Sequence, residues 1–270
     1  MLHISRSAYH KWLSGKLSPR TAENEQLSKK IEEIHIEFPE KGYRQIKDTL
    51  SSEHDIHVND KRVLRICRKK SIKSTIKYSN HGCTRHAKNP QHISENILNR
   101  QFHASAPNQK WLTDVTEFKW HDGLETHKIY LSAILDLYDR RIVSYVIGER
   151  NNNSLVFKTF DMAVKANPDA HPLFHSDRGF QYTNRTFHHK LEKAGMTQSM
   201  SRVGKCIDNG PMEGFWGILK RERYYGKRFT SKLQLIDMII SYIHYYNNRR
   251  VQRNLGVMTP MAKHNLASVA

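Results

Sequence analysis

The run KWLTDVTEFKW at residues 110–120 places Asp114 among Trp111, Leu112, Val115 and Phe118, in the most apolar strand-like stretch of the chain. An ionised carboxylate inside a buried strand is costly unless it is paired or metal-bound. A fold that keeps Asp114 must bring it a partner. Two more β-rich runs follow, IYLSAILDLY and RIVSYVIGE, divided from their neighbours by HDG at 121–123 and DRR at 139–141. The three runs read as an antiparallel meander. Asn153 or Ser154 is expected to cap a helix with Val156, Phe160 and Ala163 on one face, ended by Pro168. HPLFHS reads as a fourth, buried strand. Asn184 caps a helix carrying Phe187, Leu191 and Ala194, with Gly195 suited to its left-handed end. TQSMS reads as a fifth strand. Pro211 starts a helix through about Glu222, and a long amphipathic helix from Ser231 carries Ile236, Ile239, Ile240 and Ile243. The order βββαβαβαα predicts an α/β fold, a mixed five-stranded sheet flanked by helices.

The first hundred residues differ. Residues 1–20 show no full helical face. Thr21 is expected to cap a helix through about Phe38, with Leu27, Ile31 and Ile34 on one face; a short helix follows from Tyr43 to about Ser52. Asn59 or Asp60 caps a third, KRVLRICRKK, whose Val63, Ile66 and Cys67 suit a small core. Short helices joined by tight turns are compatible with a helix-turn-helix. Arg62, Arg65 and Lys69 share one face of the third helix, followed by Lys70, and residues 61–88 hold ten Lys or Arg and no acid. Such a face suits phosphate contacts. The expected divisions are a helical DNA-binding region at 1–70, a basic polar linker at 71–104 and a catalytic core at 105–270.

Charge names the class of partner. The 270 residues carry a formal net charge of +18. It is shared equally, +9 in residues 1–100 (20 Lys and Arg, 11 Asp and Glu) and +9 in 101–270 (24 and 15), which excludes a single basic tail. A polyanion is the expected partner, nucleic acid before a membrane surface. Cys67, Cys83 and Cys206 are odd in number and form no CxxC pair, which points to a reduced, cytoplasmic chain. No signal peptide or membrane-length apolar run is visible. His81, Cys83 and His86 lack a second ligand pair at zinc-finger spacing.

Two further acids stand out. Asp177 follows the fourth strand directly, and Glu213 lies in the first turn of its helix beside an apolar stripe of Met212, Phe215, Trp216 and Leu219. Three acids from three elements, meeting at one edge of the sheet, offer hard oxygen ligands suited to Mg²⁺ or Mn²⁺. A pair of such ions serves phosphodiester chemistry. Lys220 follows Glu213 by two helical turns, with Gly217 between them to admit a close backbone. Glu117, an odd number of residues from Asp114, points the other way. Asp136 and Asp139 suit the hairpin turn, and His175 is either a proton shuttle or a packing residue. Tyr242, Tyr245 and Tyr246 offer stacking surfaces near Arg249 and Arg250, with core packing the expected use of at least two.

These segments resemble a known family. PNQKWLTDVTEF (107–118), HSDRGFQYTN (175–184) and GKCIDNGPMEGFWGILKRE (204–222) are similar to the three DDE motifs of insertion-sequence transposases, OrfB type of the insertion-sequence-three family. Thirty-five residues separate Asp177 from Glu213, the interval typical of that family. YNNRRVQRNLGVMTPMAKHN (246–265) resembles its C-terminal signature; KGYRQIKDTL (41–50) and NDKRVLRICRKKSI (59–72) resemble its helix-turn-helix-like segment. The family often has Tyr-Asp-Asn-Ala before the Glu, where this chain has Ile207-Asp208-Asn209-Gly210-Pro211. The resemblance implies an RNase H-like, integrase-type core that cuts element ends and joins the freed 3′-hydroxyl to DNA. Asp114, Asp177 and Glu213 would be its catalytic, metal-binding triad. Lys220, Arg221, Arg178, Lys205 and Asn209 would contact DNA nearby. It also implies a homo-oligomer on double-stranded DNA, and fusion by frameshifting to an upstream-frame protein that supplies end recognition and multimerisation. A DNA-binding protein without catalysis, and a nuclease that hydrolyses without joining, are the competing readings.

Overall fold

The structure, a computed structural model, describes residues 5–14, 18–76 and 90–269. It divides into two units, Met1–Ile76 and Lys77–Ala270. His81, Cys83 and His86 lie outside the described residues.

The first unit is helical: α1 Arg6–Leu13, α2 Pro19–Glu37, α3 Tyr43–His54 and α4 Asp60–Lys69. Leu27, Ile31 and Ile34 of α2 meet Ile46 and Leu50 of α3 and Val63, Ile66 and Cys67 of α4 in one small core. The helix-turn-helix-like expectation holds. Two details differ. The structure adds α1, whose Tyr9 and Leu13 are exposed. Ser18, not Thr21, caps α2: its hydroxyl accepts from the Thr21 amide at 3.1 Å, and Pro19 occupies the first turn, where a missing N–H costs nothing. Ser18→Ala is therefore expected to cost about 1 kcal/mol. Faster hydrogen exchange at the Leu27 and Ile31 amides would register it; unchanged exchange would show that the cap contributes nothing.

The second unit holds five strands, β1 Lys110–Asp122, β2 Glu125–Asp136, β3 Ile142–Gly148, β4 Leu173–Ser176 and β5 Thr197–Met200. They lie in the order β3-β2-β1-β4-β5. β1, β2 and β3 pair antiparallel as expected, while β4 and β5 join parallel. The described helices are α5 Asn153–Ala166, α6 Arg185–Lys193, α7 Gly210–Leu219, α8 Lys232–Asn248 and α9 Pro260–Val269. Alternation along the strands serves two cores. Leu112, Leu131, Ala133 and Leu135 pack with α7 and α8. Trp111, Ile134 and Phe174 pack with Val156 and Phe160 of α5 and Phe187 and Leu191 of α6. Asn184 caps α6 and Gly195 takes φ +67°, as read from sequence; Ser231 caps α8, and α5 is capped one residue earlier than expected, by Asn152.

The linker reading fails for much of 71–104. Ser74 and Thr75 bond back to Glu40 and Pro39 in the first unit. Residues 92–98 run beside β5: the Met200 amide donates to the Glu95 carbonyl and the Leu98 amide to Ser199 Oγ. The segment thereby satisfies edge groups that would otherwise stay open. Leu98 and Ala104 are buried in the sheet core. The buried face of α8 is also turned from that expected. Leu235, Ile239, Tyr242, Ile243 and Tyr246 are inside and Ile240 is 44% exposed. Tyr242 reaches the core because its hydroxyl finds an acceptor there, Glu222.

Candidate active site

The sheet sets two of the three carboxylates side by side. β1 and β4 pair Leu112 with His175 in parallel register. Two residues further along each chain stand Asp114, still within β1, and Asp177, just past the end of β4. Asp114 lies two residues beyond Leu112, so it points to the face that α7 covers. Glu213 stands in the first turn of α7. Asp114 feels the charge of both other acids, and Glu213 feels that of Asp177. Asp114's pKa lies well above the ordinary carboxylate range, first through burial, then through Asp177, with a lesser push from Glu213. Burial and Asp177 also raise Glu213.

The surrounding groups brace this arrangement. Asp177 Oδ1 accepts from the Gly179 amide at 2.9 Å, closing the turn after β4. A Cβ on Gly179 would stand 3.0 Å from both Asp177 Oδ1 and Gln181 Oε1, so any larger residue there would push against the Asp177 carboxylate. Thr113 Oγ1 donates to the Ala133 carbonyl and lies 3.3 Å from the Tyr182 hydroxyl, tying β1 to the same turn. Trp216 Nε1 donates to Asp114 Oδ2 at 3.0 Å. Lys220 is turned toward β1: its ammonium lies 5.1 Å from the Phe118 ring centroid, close enough for Asp114 and Glu117 to counter the lowering that burial imposes on its pKa.

Asn209 departs from expectation. It is buried, and Nδ2 donates to the Thr113 carbonyl at 3.1 Å, so it braces β1 instead of standing open to DNA. That carbonyl can only accept, which fixes the amide's orientation and leaves Oδ1 buried without a partner among the described residues. Gly217 also differs. The space beside it is filled by the Arg221 guanidinium, 3.3 Å from where a Cβ would be, and not by another backbone. The helix ends at Leu219 and continues as a π turn over Lys220–Tyr224, which modifies the simple two-turn relation of Lys220 to Glu213. Arg178 bonds the Ser201 carbonyl, and Lys205 is exposed.

Sequence reasoning missed the clamp before α7. Asp208 is fully buried and accepts from Arg100 Nε at 2.7 Å, from Arg202 side chain and amide, and from Asn96 Nδ2. Bonds to Arg202 and Arg100 hold its pKa far below the ordinary range despite burial. Its retention beside Asn209 in the motif was the available signal. The other acids serve structure: Asp136 accepts from the Asn108 and Tyr138 amides, and Asp139 from Arg141 and His264. Glu117 pairs with Lys128. His175 is a packing residue: it is buried between Ser199 and Ser201, and burial lowers its pKa to about 4. Tyr242 and Tyr246 pack in the core.

On α4, Arg62 is held by Asn24 and Glu23 and Lys70 by Glu32, so the expected stripe through Arg62 is not open. The exposed cations are Lys61, Arg65, Arg68 and Lys69.

Among the described residues no three His, Cys, Asp or Glu side chains close on one point tightly enough to hold an ion as they stand. The donor set nevertheless suits a hydrated divalent cation. It offers hard oxygens that repel one another, with an unsatisfied acceptor nearby for a water proton. No helix among the described residues is long and apolar enough to cross a membrane.

Integrase core domain models match residues 104–206 and 194–260, and an HTH-like domain model matches residues 22–79. InsK, described as a transposase for insertion sequence element IS150 in Escherichia coli (strain K12), is 36% identical over 97% of this chain and 90% of its own length. An insertion element IS600 protein of Shigella sonnei is 35% identical over 96% of this chain and 94% of its own length. Transposase InsF for insertion sequence IS3A in Escherichia coli is 31% identical over 62% of this chain and 58% of its own length. Among solved structures, the HTLV-2 integrase catalytic core domain in complex with magnesium has a TM-score of 0.47 and 18% identity, covering 59% of this chain and 98% of that one. With more than a third of residues identical along nearly the full length of such relatives, the chain belongs to the insertion-sequence transposases, OrfB type of the insertion-sequence-three family, a helix-turn-helix-like region followed by an integrase-type core.

Proposed function

We propose that Asp114, Asp177 and Glu213 form the triad with which this transposase cuts the ends of its element and joins them to target DNA. The carrying observation is the mutual electrostatic pressure of three carboxylates drawn from β1, the turn after β4 and α7. The family's core depends on divalent metal. The three carboxylates would hold Mg²⁺ or Mn²⁺, as two ions, with Asn209 Oδ1 accepting from a nearby water. When bound, such ions activate a water or 3′-hydroxyl and stabilise the leaving oxygen. The chain's own residues then do three things. The Gly179 amide and the Trp216 indole fix the first two carboxylates. Lys220 adds positive charge beside Asp114. Arg178, Lys205 and Arg221 face the DNA backbone.

The first unit would grip double-stranded DNA, the element's terminal repeats, through the exposed cations of α4. Replacing Arg65 and Lys69 with Ala is expected to weaken binding to all DNA sequences. The salt slope of log K should fall by about 1 for each phosphate that is no longer neutralised. Filter or fluorescence binding across a salt series measures this; an unchanged slope would place the DNA-gripping surface elsewhere. Strand transfer joins two ends, so a homo-oligomer on DNA is proposed, in the cytoplasm on the nucleoid, with the upstream-frame protein as a further partner.

The test is cleavage and joining of labelled element-end DNA with Mg²⁺, using this chain and its upstream-frame fusion beside Asp177→Asn. Metal-dependent joining that disappears in the variant supports the triad. Activity that survives it sinks the assignment, and hydrolysis without joining would favour a plain nuclease.

A further inference from the structure

Trp216 lies three residues after Glu213 on α7, 6% exposed, its ring 5.0 Å from that of Phe215. By composition it belongs to the helix's apolar stripe. A buried indole N–H still needs an acceptor. Trp111, the counterpart on the sheet's other face, meets that need with Asn108 and Asp136, away from the triad. Trp216 meets it with Asp114 Oδ2 at 3.0 Å. The bond crosses from α7 to β1, so one helix supplies both Glu213 and the donor that holds Asp114. It engages Oδ2 of a carboxylate that the Val115 amide also reaches, so Asp114 is held from its own strand and from α7.

We infer that Trp216 is a positioning residue for the metal centre. Its indole N–H locks the Asp114 carboxylate in its ligating orientation and makes the docking of α7 a condition for assembling the site. The inference rests on the triad reading proposed above. Donors that orient a ligating carboxylate typically change metal affinity or activity about 10–100-fold when removed.

The experiment uses the full chain without DNA, with ¹⁵N-labelled tryptophan, titrated with Mg²⁺. The Trp216 indole resonance is expected to shift with metal while that of Trp111 stays in place. Trp216→Phe keeps the ring and removes the donor. It is expected to lower Mg²⁺ affinity by calorimetry about 10–100-fold and to lower kcat for strand transfer, with KM for DNA little changed. The inference is overturned if the Trp216 resonance stays fixed while Mg²⁺ binds, a readout that needs no variant to fold. It is equally overturned if folded Trp216→Phe binds Mg²⁺ as tightly as the parent. Asp177→Asn separates the two readings. If that change spares Mg²⁺ binding and strand transfer, the triad reading falls and takes this inference with it. If it abolishes both while Trp216→Phe lowers neither, only the role of Trp216 falls.

Discussion

Asp177→Asn is expected to lower strand transfer by about 10³-fold or more while raising the melting temperature of the metal-free protein. The loss follows from the several kcal/mol that metal-ion stabilisation supplies at about 1.4 kcal/mol per tenfold in rate. Asparagine keeps an acceptor for the Gly179 amide, so the turn after β4 survives. The gain follows from repulsion. Asp177's charge helps push the pKa of Asp114 above its unfolded value and raises that of Glu213. A carboxylate raised in the folded state contributes stability that is full below about pH 4 and is lost as pH rises through its folded value. At neutral pH the triad therefore strains the apo fold, and removing one charge relieves it. Two measurements check the pair of effects: a joining assay with Mg²⁺, and thermal melts in chelator from pH 5 to 8. The parent should melt higher at the acid end through this group, and the variant should show a flatter profile. Mg²⁺ should stabilise the parent and not the variant. A variant that melts lower in chelator would refute the electrostatic account even if activity is lost.

Much of this was readable before any coordinates. The β-rich runs KWLTDVTEFKW and IYLSAILDLY, the cap at Asn184, and Gly195 in a left-handed turn are local signals, and the structure follows them. Asp114 and Asp177 were nameable because an acid in or just after an apolar strand has few cheap explanations, and Glu213 because it sits beside an apolar helix stripe in a segment that resembles the family's third motif. What stayed hidden was tertiary. Asp208 is joined to Arg100 and Asn96 across more than a hundred residues, and no short-range pattern reports such a clamp. Residues 92–98 are polar and aperiodic because their bonds go to the β5 edge and not to their own helix or strand. Arg62 shares sequence type with Arg65, yet only the approach of α2 shows that Glu23 and Asn24 have claimed it. Trp216 reads as core because hydrophobic patterning counts the ring and ignores the one polar atom.

Arg250→Leu is expected to be the most destabilising single change in the second unit away from the triad. Glu222 lies in the π turn after α7, its side chain 4% exposed. Arg250, just beyond α8 and 11% exposed at its side chain, donates from Nη2 to Oε1 at 2.8 Å and from Nε to both oxygens at 3.2 Å. The Tyr242 hydroxyl adds a bond at 2.8 Å. Leucine fills part of the volume but takes from a buried carboxylate the three bonds that Arg250 gives it. Breaking a buried pair from one side costs about 3–5 kcal/mol, whereas replacing both partners with neutral groups costs much less. At about 2–4 °C per kcal/mol, the melting transition should fall by roughly 6–20 °C. Two controls identify the cause. Adding Glu222→Gln to Arg250→Leu should recover a good part of the loss. Lowering the pH should narrow the gap between the single variant and the parent, because a buried Glu222 carboxylate that has lost its Arg250 bonds is harder to keep ionised and regains stability as it takes up a proton. A double variant no better than Arg250→Leu, with a gap independent of pH, would mean that Arg250 acts through packing alone. If instead the cycle closes as expected, this buried pair holds the turn bearing Lys220 and Arg221 against α8. Strand transfer at permissive temperature should then weaken in the single variant and return in the double.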